Sequence, residues 1–333
     1  MSTKLIKTFD EKNLNDLQKE LSKVEKNHPI KNHTWMKVGG AADLFFQANN
    51  THDLIRAIKL SIENKIPYTI LGGGSNIVVR DGGIRGLVIK NKANNISVVG
   101  VKGGVKNNRV DTLSAKVKAE SGAIINHLVR YTLEESLQGL EEFLGVPGTV
   151  GGAVYNNSHH LDHLIGSYIS QVEVIDKEAN IKTYSNDQMK FSYDYSIVQD
   201  TGEVVISATF DLKKGNKDEL WKAAEAALKR RRDTQPLEIP SSGCMFKNIG
   251  KAQALSYKTP NHSTSAGLLI DKSGLKGEKI GGAEVSDVHA NFITNKGGAT
   301  AEDIDKLATL VADRVKEKYG VTLEREVFFI GDK

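Results

Sequence analysis

A single cysteine, Cys244, stands in the whole chain of 333 residues. One thiol closes no intrachain disulfide and builds no cysteine-cluster metal site, so neither is expected. No apolar run reaches the roughly 20 residues that span a bilayer. The N-terminal residues are polar and charged and lack the apolar stretch of a signal peptide. A cytoplasmic protein without a membrane partner is therefore expected. Net charge is also small, +4. The one basic cluster, Arg230-Arg231-Arg232, ends a helical pattern, where cations complement the helix dipole. That reading is preferred to a nucleic-acid patch, because no interleaving of aromatic and basic residues supports RNA or DNA binding. Repeats and low-complexity tracts are missing as well, and no obligate protein partner is evident. The length predicts two or three domains.

Glycine, by contrast, is clustered. Between Tyr68 and Arg80 two short apolar, β-rich runs flank Gly72-Gly73-Gly74-Ser75-Asn76. Three successive glycines cost conformational entropy on ordering, so the stretch predicts a tight backbone approach. Consecutive N–H groups in such a turn can converge on phosphate oxygens. Two known phosphate motifs fail here. The dinucleotide fingerprint needs a third glycine opening a helix, where Ile77 stands before a strand; the P-loop needs a lysine that is absent. From the glycines alone a hairpin turn is the preferred reading.

The rest of the chain reads as alternating short elements. Residues 1–30 predict an arm or short helix. A glycine pair, Gly39-Gly40, precedes a strand at Leu44–Gln47. Thr51 is the candidate cap of a helix to about Lys65, with Ile55, Ile58 and Ile62 on one face and Pro67 beyond it. Strands are expected at 86–90, 96–101 and 115–119, with a polar hairpin loop over 102–112. Helical spacing returns over 123–137. A second glycine-dense stretch, Gly145-Val-Pro147-Gly148-Thr149-Val-Gly151-Gly152-Ala153, follows, and alternation marks strands at 171–175 and 204–212. An alanine-rich helix over 218–232 looks like a domain boundary. Thr300 with Asp303 forms a capping-box start to an amphipathic helix that stops at Gly320. A strand-like run, Leu323–Ile330, ends the pattern.

Taken in order, these stretches resemble the UDP-N-acetylenolpyruvoylglucosamine reductase family. The resemblance covers nearly the whole chain and rests on nine motifs in family order. They are Thr34–Asp43, Gly72–Asn76, Gly145–Ala153, Phe191-Ser-Tyr193, Arg231-x-x-Thr-Gln-Pro236, Gly243-Cys-x-Phe-Lys-Asn248, Gly267–Asp271, Gly281-Gly282 and Leu323-Glu-Arg-Glu326. It implies an α+β fold: a two-subdomain FAD-binding fold of the vanillyl-alcohol-oxidase type, plus a C-terminal α/β substrate-binding domain. The implied division is an N-terminal arm at 1–30, FAD-binding subdomains at 31–95 and 96–215, and the substrate domain at 216–333. FAD, bound without a covalent link, would contact Gly72, Gly73, Gly74, Ser75 and Asn76, and Gly145, Pro147, Gly148, Thr149, Gly151, Gly152 and Ala153. This reverses the hairpin reading of the glycine turn.

The implied reaction passes hydride from NADPH through FAD to C3 of the enolpyruvyl group of UDP-N-acetylglucosamine enolpyruvate, giving UDP-N-acetylmuramate for peptidoglycan. C2 must then gain a proton, and the enolate must be stabilised. Cys244 stands where the family usually places a serine proton donor. A free thiol, with a reference pKa near ~8.5, donates more readily than a hydroxyl; the plainer reading is a small buried hydrophobe. Glu326 matches the family's C-terminal catalytic glutamate, although strand alternation alone does not separate it from Glu324. Tyr193, Arg231, Lys247, Asn248 and His289 fall at substrate-side positions; for Lys247 and Asn248 the alternative is a surface turn, and for His289 a satisfied surface histidine.

Two departures from the family stand out. The family commonly reads Tyr-Arg-x-Ser, its arginine polarising the enolate, where this chain has Tyr193-Asp194-Tyr195-Ser196. A carboxylate does not replace that cation, which leaves Arg231 and Lys247 as candidates. After Ala153 the family often reads Asn-Ala-Gly-Ala-Tyr-Gly, where this chain has Asn156-Asn-Ser-His-His160. The chain also lacks the long tyrosine-bearing loop of the larger subclass and looks closer to the shorter type II enzymes. The rival readings are another FAD oxidoreductase of the same fold and a sugar-nucleotide-binding paralogue with weak or no turnover. The flavin is expected to stay with the protein through desalting and to leave it on denaturation, as followed by visible absorbance. Colour retained by the denatured chain would show a covalent link instead.

Overall fold

The computed structural model describes residues 17–106, 109–257 and 259–333. They form two compact units, each gathered from three stretches. The first holds residues up to 26, 43–73 and 86–230; the second holds 27–42, 74–85 and 231–333. Of the N-terminal arm, 17–20 are helical and Glu25–Pro29 is a strand, while residues 1–16 lie outside the described part.

In the first unit, Tyr68–Leu71 and Ile84–Asn91 pair in parallel, with Ala41–Ala48 beside Ile84–Asn91. Helix Thr51–Glu63 buries Leu54, Ala57, Ile58 and Ser61, the three- and four-residue spacing of one helix face. It packs into the same core as Leu44, Phe46, Leu87 and Ile89. Its cap is Asn50, not Thr51: the Asn50 side chain accepts from Asp53 N at 2.8 Å, while the Thr51 hydroxyl donates to Glu120 at 2.7 Å. Asn fits the extended residue just outside the first turn, and Thr51 is already helical.

The larger sheet of this unit is antiparallel, in the order Ile181–Ser185, Ile169–Ile175, Val204–Lys214, Arg109–Glu120, Ile96–Lys106, with Leu137–Gln138 against the end of Val204–Lys214. Helices Ile125–Glu134 and Val150–Asn156 contribute Leu128, Val129, Val150 and Val154 to a core shared with Val117, Ala208, Phe210 and Leu212. The loop expected over 102–112 is instead strand, since Gly103 pairs with Thr112 and Gly104 with Asp111. Backbone groups make a ladder whatever the side chains, so a polar, glycine-rich pair of strands is invisible to alternation. The connection at 107–108 is outside the described residues.

The second unit is built on an antiparallel sheet ordered Ser241–Cys244, Phe292–Asn295, Ala283–Val285, Lys279–Ile280. Helix Ala301–Tyr319 covers it with Ile304, Leu307, Ala308, Val311 and Val315. Thr300 caps the helix as the sequence predicts, and Gly320 ends it at φ +74°. Asp81 adds a second cap from a distant part of the chain, accepting from Ala301 N and Glu302 N at 3.0 Å each.

The strand expected over Leu323–Ile330 is regular only at Phe328–Ile330, which pairs in parallel with Ile77–Val79. This also removes the hairpin reading of the glycine turn. Tyr68–Leu71 and Ile77–Val79, the runs that flank it, pair with different partners and not with each other.

Replacing Asp81 by Ala removes two hydrogen bonds to first-turn N–H groups. Urea unfolding is expected to show a loss of about 1 kcal/mol, with Asp81→Asn recovering part of it. An unchanged midpoint for the alanine variant would mean the first turn is satisfied without Asp81.

Candidate functional site

Gly72 and Gly73, which open the first of the two glycine stretches predicted to hold a cofactor, meet the second stretch within the first unit. A Cβ on Gly72 would stand 2.5 Å from Thr149 Oγ1, and one on Gly73 would stand 2.7 Å from Gly148 Cα. The glycines are thus required by contact between two backbone turns. Gly148–Gly151 is in turn stitched to the segment before helix Ile125–Glu134. Gly148 O accepts from Ile125 N at 3.1 Å, Val150 N donates to Ala123 O at 2.8 Å, and Gly151 N donates to Ser121 O at 2.8 Å. Gly145 N donates to Asn126 Oδ1 at 2.6 Å. Pro147 is half-buried and Ala153 is buried. Gly152 is exposed, and a Cβ there would meet only Thr149 Oγ1, at 3.8 Å. The Gly72 carbonyl accepts from the Lys90 ammonium.

Among the described residues, the backbone N–H groups of Gly73, Gly74, Ser75 and Asn76 donate to no protein group. A run of uncommitted donors on small residues, Gly74 alone among them being fully buried, fits phosphate oxygens of FAD. Thr149 fits less well than expected. Its Oγ1 is buried without a hydrogen-bond partner and closed off against Gly72.

Cys244 ends the first strand of the second unit's sheet, opposite Phe292. The ladder slips between Ser241 and Cys244, and Gly243 sits in the slip at φ +81°, where an added Cβ would meet nothing within 4 Å. Such a bulge re-aims the following side chain, and the left-handed backbone there favours glycine. Cys244 itself is half-buried.

Residues 324–326 run antiparallel to 245–247. Lys247 N donates to Glu324 O and Glu326 N to Met245 O, each at 2.9 Å. This brings Glu326 next to the Cys244 segment and distinguishes it from Glu324, which is exposed while Glu326 is half-buried. Asn76 is tied to the same place: its Nδ2 donates to Glu326 O at 3.3 Å, and its carbonyl accepts from Phe328 N at 3.1 Å.

Arg231, in the last turn of helix Lys217–Thr234, is 9% exposed, and its Nε has no hydrogen-bond partner. Burial lowers its pKa and the charge of Cys244 acts to raise it, so guanidinium and thiol are electrostatic neighbours. Lys247 is half-buried and its ammonium makes no ion pair with a described residue. Asn248 has a structural partner, its Oδ1 accepting from Ala266 N at 3.0 Å at the start of helix Ala266–Lys272.

His289 is no surface histidine. Burial pulls its pKa down, and its Nδ1 accepts from Asn291 N at 3.2 Å, which leaves the proton of the neutral ring on Nε2. Sequence reading passed over Asn291. It is buried, and both ends of its amide bond the Phe246 backbone, at 3.0 Å and 2.7 Å. A lone asparagine carries no sequence signal for such a role. Tyr193 lies in the first unit, 43% exposed at the tip of a turn.

The fold and the glycine cradle define a flavoprotein class. Residues 42–185 match the family model described as FAD binding domain. The solved p-cresol methylhydroxylase shares the fold, with a TM-score of 0.53 at 12% identity over 94% of this chain and 89% of that one.

More particular likeness covers nearly everything. Residues 235–330 match the model of the UDP-N-acetylenolpyruvoylglucosamine reductase C-terminal domain. Proteins of that name from Caldanaerobacter subterraneus subsp. tengcongensis and Clostridium novyi are 38% and 39% identical, covering 96% and 93% of this chain and 97% and 93% of theirs. The crystal structure of the Thermus caldophilus reductase superposes with a TM-score of 0.73 at 30% identity, covering 93% of this chain and 99% of that one. The chain belongs to the UDP-N-acetylenolpyruvoylglucosamine reductase family.

A methyl group added at Gly73 must push the 148 backbone away. Gly73→Ala is therefore expected to lower the flavin-to-protein ratio after desalting several-fold while leaving far-UV circular dichroism unchanged. Full flavin retention would show that the 72–73 turn can shift without cost to the cofactor.

Proposed function

We propose that this chain is an NADPH-dependent flavoenzyme of peptidoglycan precursor synthesis. It reduces the enolpyruvyl group of UDP-N-acetylglucosamine enolpyruvate to the lactyl ether of UDP-N-acetylmuramate. The observation that carries this reading is the ladder between 245–247 and 324–326, which sets Glu326 beside the Cys244 strand within a chain of this family. In the proposal the substrate domain is 216–333 and the FAD-binding subdomains are 31–95 and 96–215, with the protein closer to the short type II enzymes.

Bound FAD supplies a two-electron relay, taking hydride from NADPH and delivering it to C3. The residues that hold it are Gly72–Asn76 and the turn Gly145–Ala153, through backbone donors rather than side chains. The chain's own groups handle the proton and the charge. Cys244 gives its thiol proton to C2 of the substrate and is reprotonated from solvent, so each turnover consumes one proton with the hydride.

Arg231 stabilises the thiolate left behind, since a buried guanidinium beside a thiol favours its anionic form. Glu326 orients the reacting end of the substrate, and its backbone N–H, donating to the Met245 carbonyl, holds the residue in register. Lys247, whose ammonium makes no ion pair with a described residue, meets a substrate anion, and Tyr193 is assigned to substrate binding as well. Asn248 and His289 complete the substrate side, Asn248 chiefly by fixing the start of helix Ala266–Lys272.

Anaerobic stopped-flow separates the two halves. Cys244→Ala should leave NADPH-driven flavin reduction nearly intact and slow reoxidation by the enolpyruvyl substrate about 10²-fold or more, the usual loss for a positioned acid. Cys244→Ser should recover much of that rate, because a hydroxyl is the common donor of the family. Glu326→Gln should likewise impair the substrate half selectively. Equal losses in both halves, or an alanine variant that reoxidises normally, would return these residues to structural roles.

A further inference from the structure

Two buried polar side chains with no part in the proposed reaction end strand Ile84–Asn91. They are Lys90, 7% exposed, and Asn91, 3% exposed. The parallel ladder with Tyr68–Leu71 closes with Leu71 opposite Lys90. One residue further on, the Gly72 carbonyl accepts from the Lys90 ammonium. Asn91 reaches the other glycine stretch. Its Nδ2 donates to Ser121 Oγ at 2.8 Å, and Ser121 O accepts from Gly151 N at 2.8 Å. The end of one strand thus fastens both halves of the glycine cradle, and all of these residues belong to the first unit.

An ammonium leaves water at a large cost unless hydrogen bonds replace its hydration. At Lys90 one such bond goes to the peptide that joins Gly72 to Gly73. That peptide is trans, and in a planar trans peptide the C=O and the N–H point in opposite directions. Holding the Gly72 carbonyl toward Lys90 therefore turns the Gly73 N–H to the opposite side. That N–H donates to no described protein group. Both residues of the peptide are glycine, which tolerates either sign of φ, so an unheld peptide turns over at little steric cost. Turned over, it presents a carbonyl oxygen in place of the N–H, and a carbonyl oxygen repels an anion. A cation behind the carbonyl also polarises the peptide and strengthens the N–H as a donor.

We propose that Lys90 is a positioning residue for the flavin: its ammonium locks the Gly72–Gly73 peptide with the Gly73 N–H facing a phosphate oxygen of FAD. The inference rests on the assignment of the glycine stretches to FAD in the function proposed above.

The test uses the full-length FAD-loaded protein. Flavin affinity is read from the fluorescence released on dilution, and the state of the pyrophosphate from the phosphorus-31 resonances of the bound FAD. Lys90→Met, which keeps an unbranched stem without its charge, should weaken FAD binding about tenfold or more, the loss of a charged hydrogen bond. It should also shift a pyrophosphate resonance of the flavin that remains bound. Lys90→Arg, which keeps a cationic donor, should recover most of the affinity. In the wild type, the Gly73 amide should be protected from hydrogen exchange while FAD is bound, a measurement that stands even where the methionine variant fails to fold.

A methionine variant with wild-type affinity would overturn the proposal. So would weakened binding with unshifted phosphorus resonances, the signature of a merely structural lysine, or a Gly73 amide that exchanges freely in the loaded protein. Gly73→Ala separates this inference from the assignment beneath it. If Gly73→Ala loses FAD while Lys90→Met keeps it, only the role of Lys90 falls; if both keep it, the assignment of the glycine stretches falls as well.

Discussion

Both ends of one buried amide hold the candidate catalytic strand. Asn291 accepts from Phe246 N, donates to Phe246 O, and through its own carbonyl accepts from Met245 N at 2.7 Å. The opposite edge of the same short stretch is taken up by 324–326. With backbone partners on both sides, 245–247 has no freedom to slide, and the residues at its ends, Cys244 and Lys247, inherit that rigidity. Removing the amide would strand two buried backbone groups, each costing about 1–3 kcal/mol. The register of Cys244 against Glu326 therefore depends on a residue that has no chemical part in the reaction.

The glycines divide into two kinds of necessity. At 72–73 the side chain is excluded by the 148–149 turn, by the Thr149 side chain at Gly72 and by the Gly148 backbone at Gly73. At 243 nothing stands in the way, and the positive φ alone selects glycine. The first kind builds a surface of closely apposed peptide groups, with N–H donors at 73–76 left uncommitted. The second kind interrupts the ladder one residue before the thiol. Glycine content alone reports both as flexible turns.

Legibility in the sequence followed the range of the interaction. The helix Ala301–Tyr319 was readable to its caps, because Thr300, Asp303 and Gly320 act within a few residues. The family motifs named Cys244 and Glu326, and the structure sets their segments side by side. Alternation missed the strands through 102–112, where the ladder owes nothing to side-chain character, and it overextended Leu323–Ile330. Asp81 at the helix start and Asn291 at Phe246 act across long stretches of chain, and an isolated Asp or Asn gives no pattern. His159 and Asp194 stood out only as separate oddities; their pairing required the turn at 192–195 to be placed against 155–159.

The second unit's pairing of Ile77–Val79 with Phe328–Ile330 has a consequence for biosynthesis. Asn76 and Glu326, bonded to each other, are 250 positions apart. During translation the early segment emerges long before its partner exists, so a β edge at 77–79 must wait unpaired while the segments of the first unit emerge. Closing so long a loop late is slow compared with local pairing. Pairing of the 245–247 and 324–326 segments is therefore late in synthesis, and a ribosome that stalls between residues 300 and 320 leaves a nascent chain in which every segment of the first unit has been made and the partner of 77–79 has not.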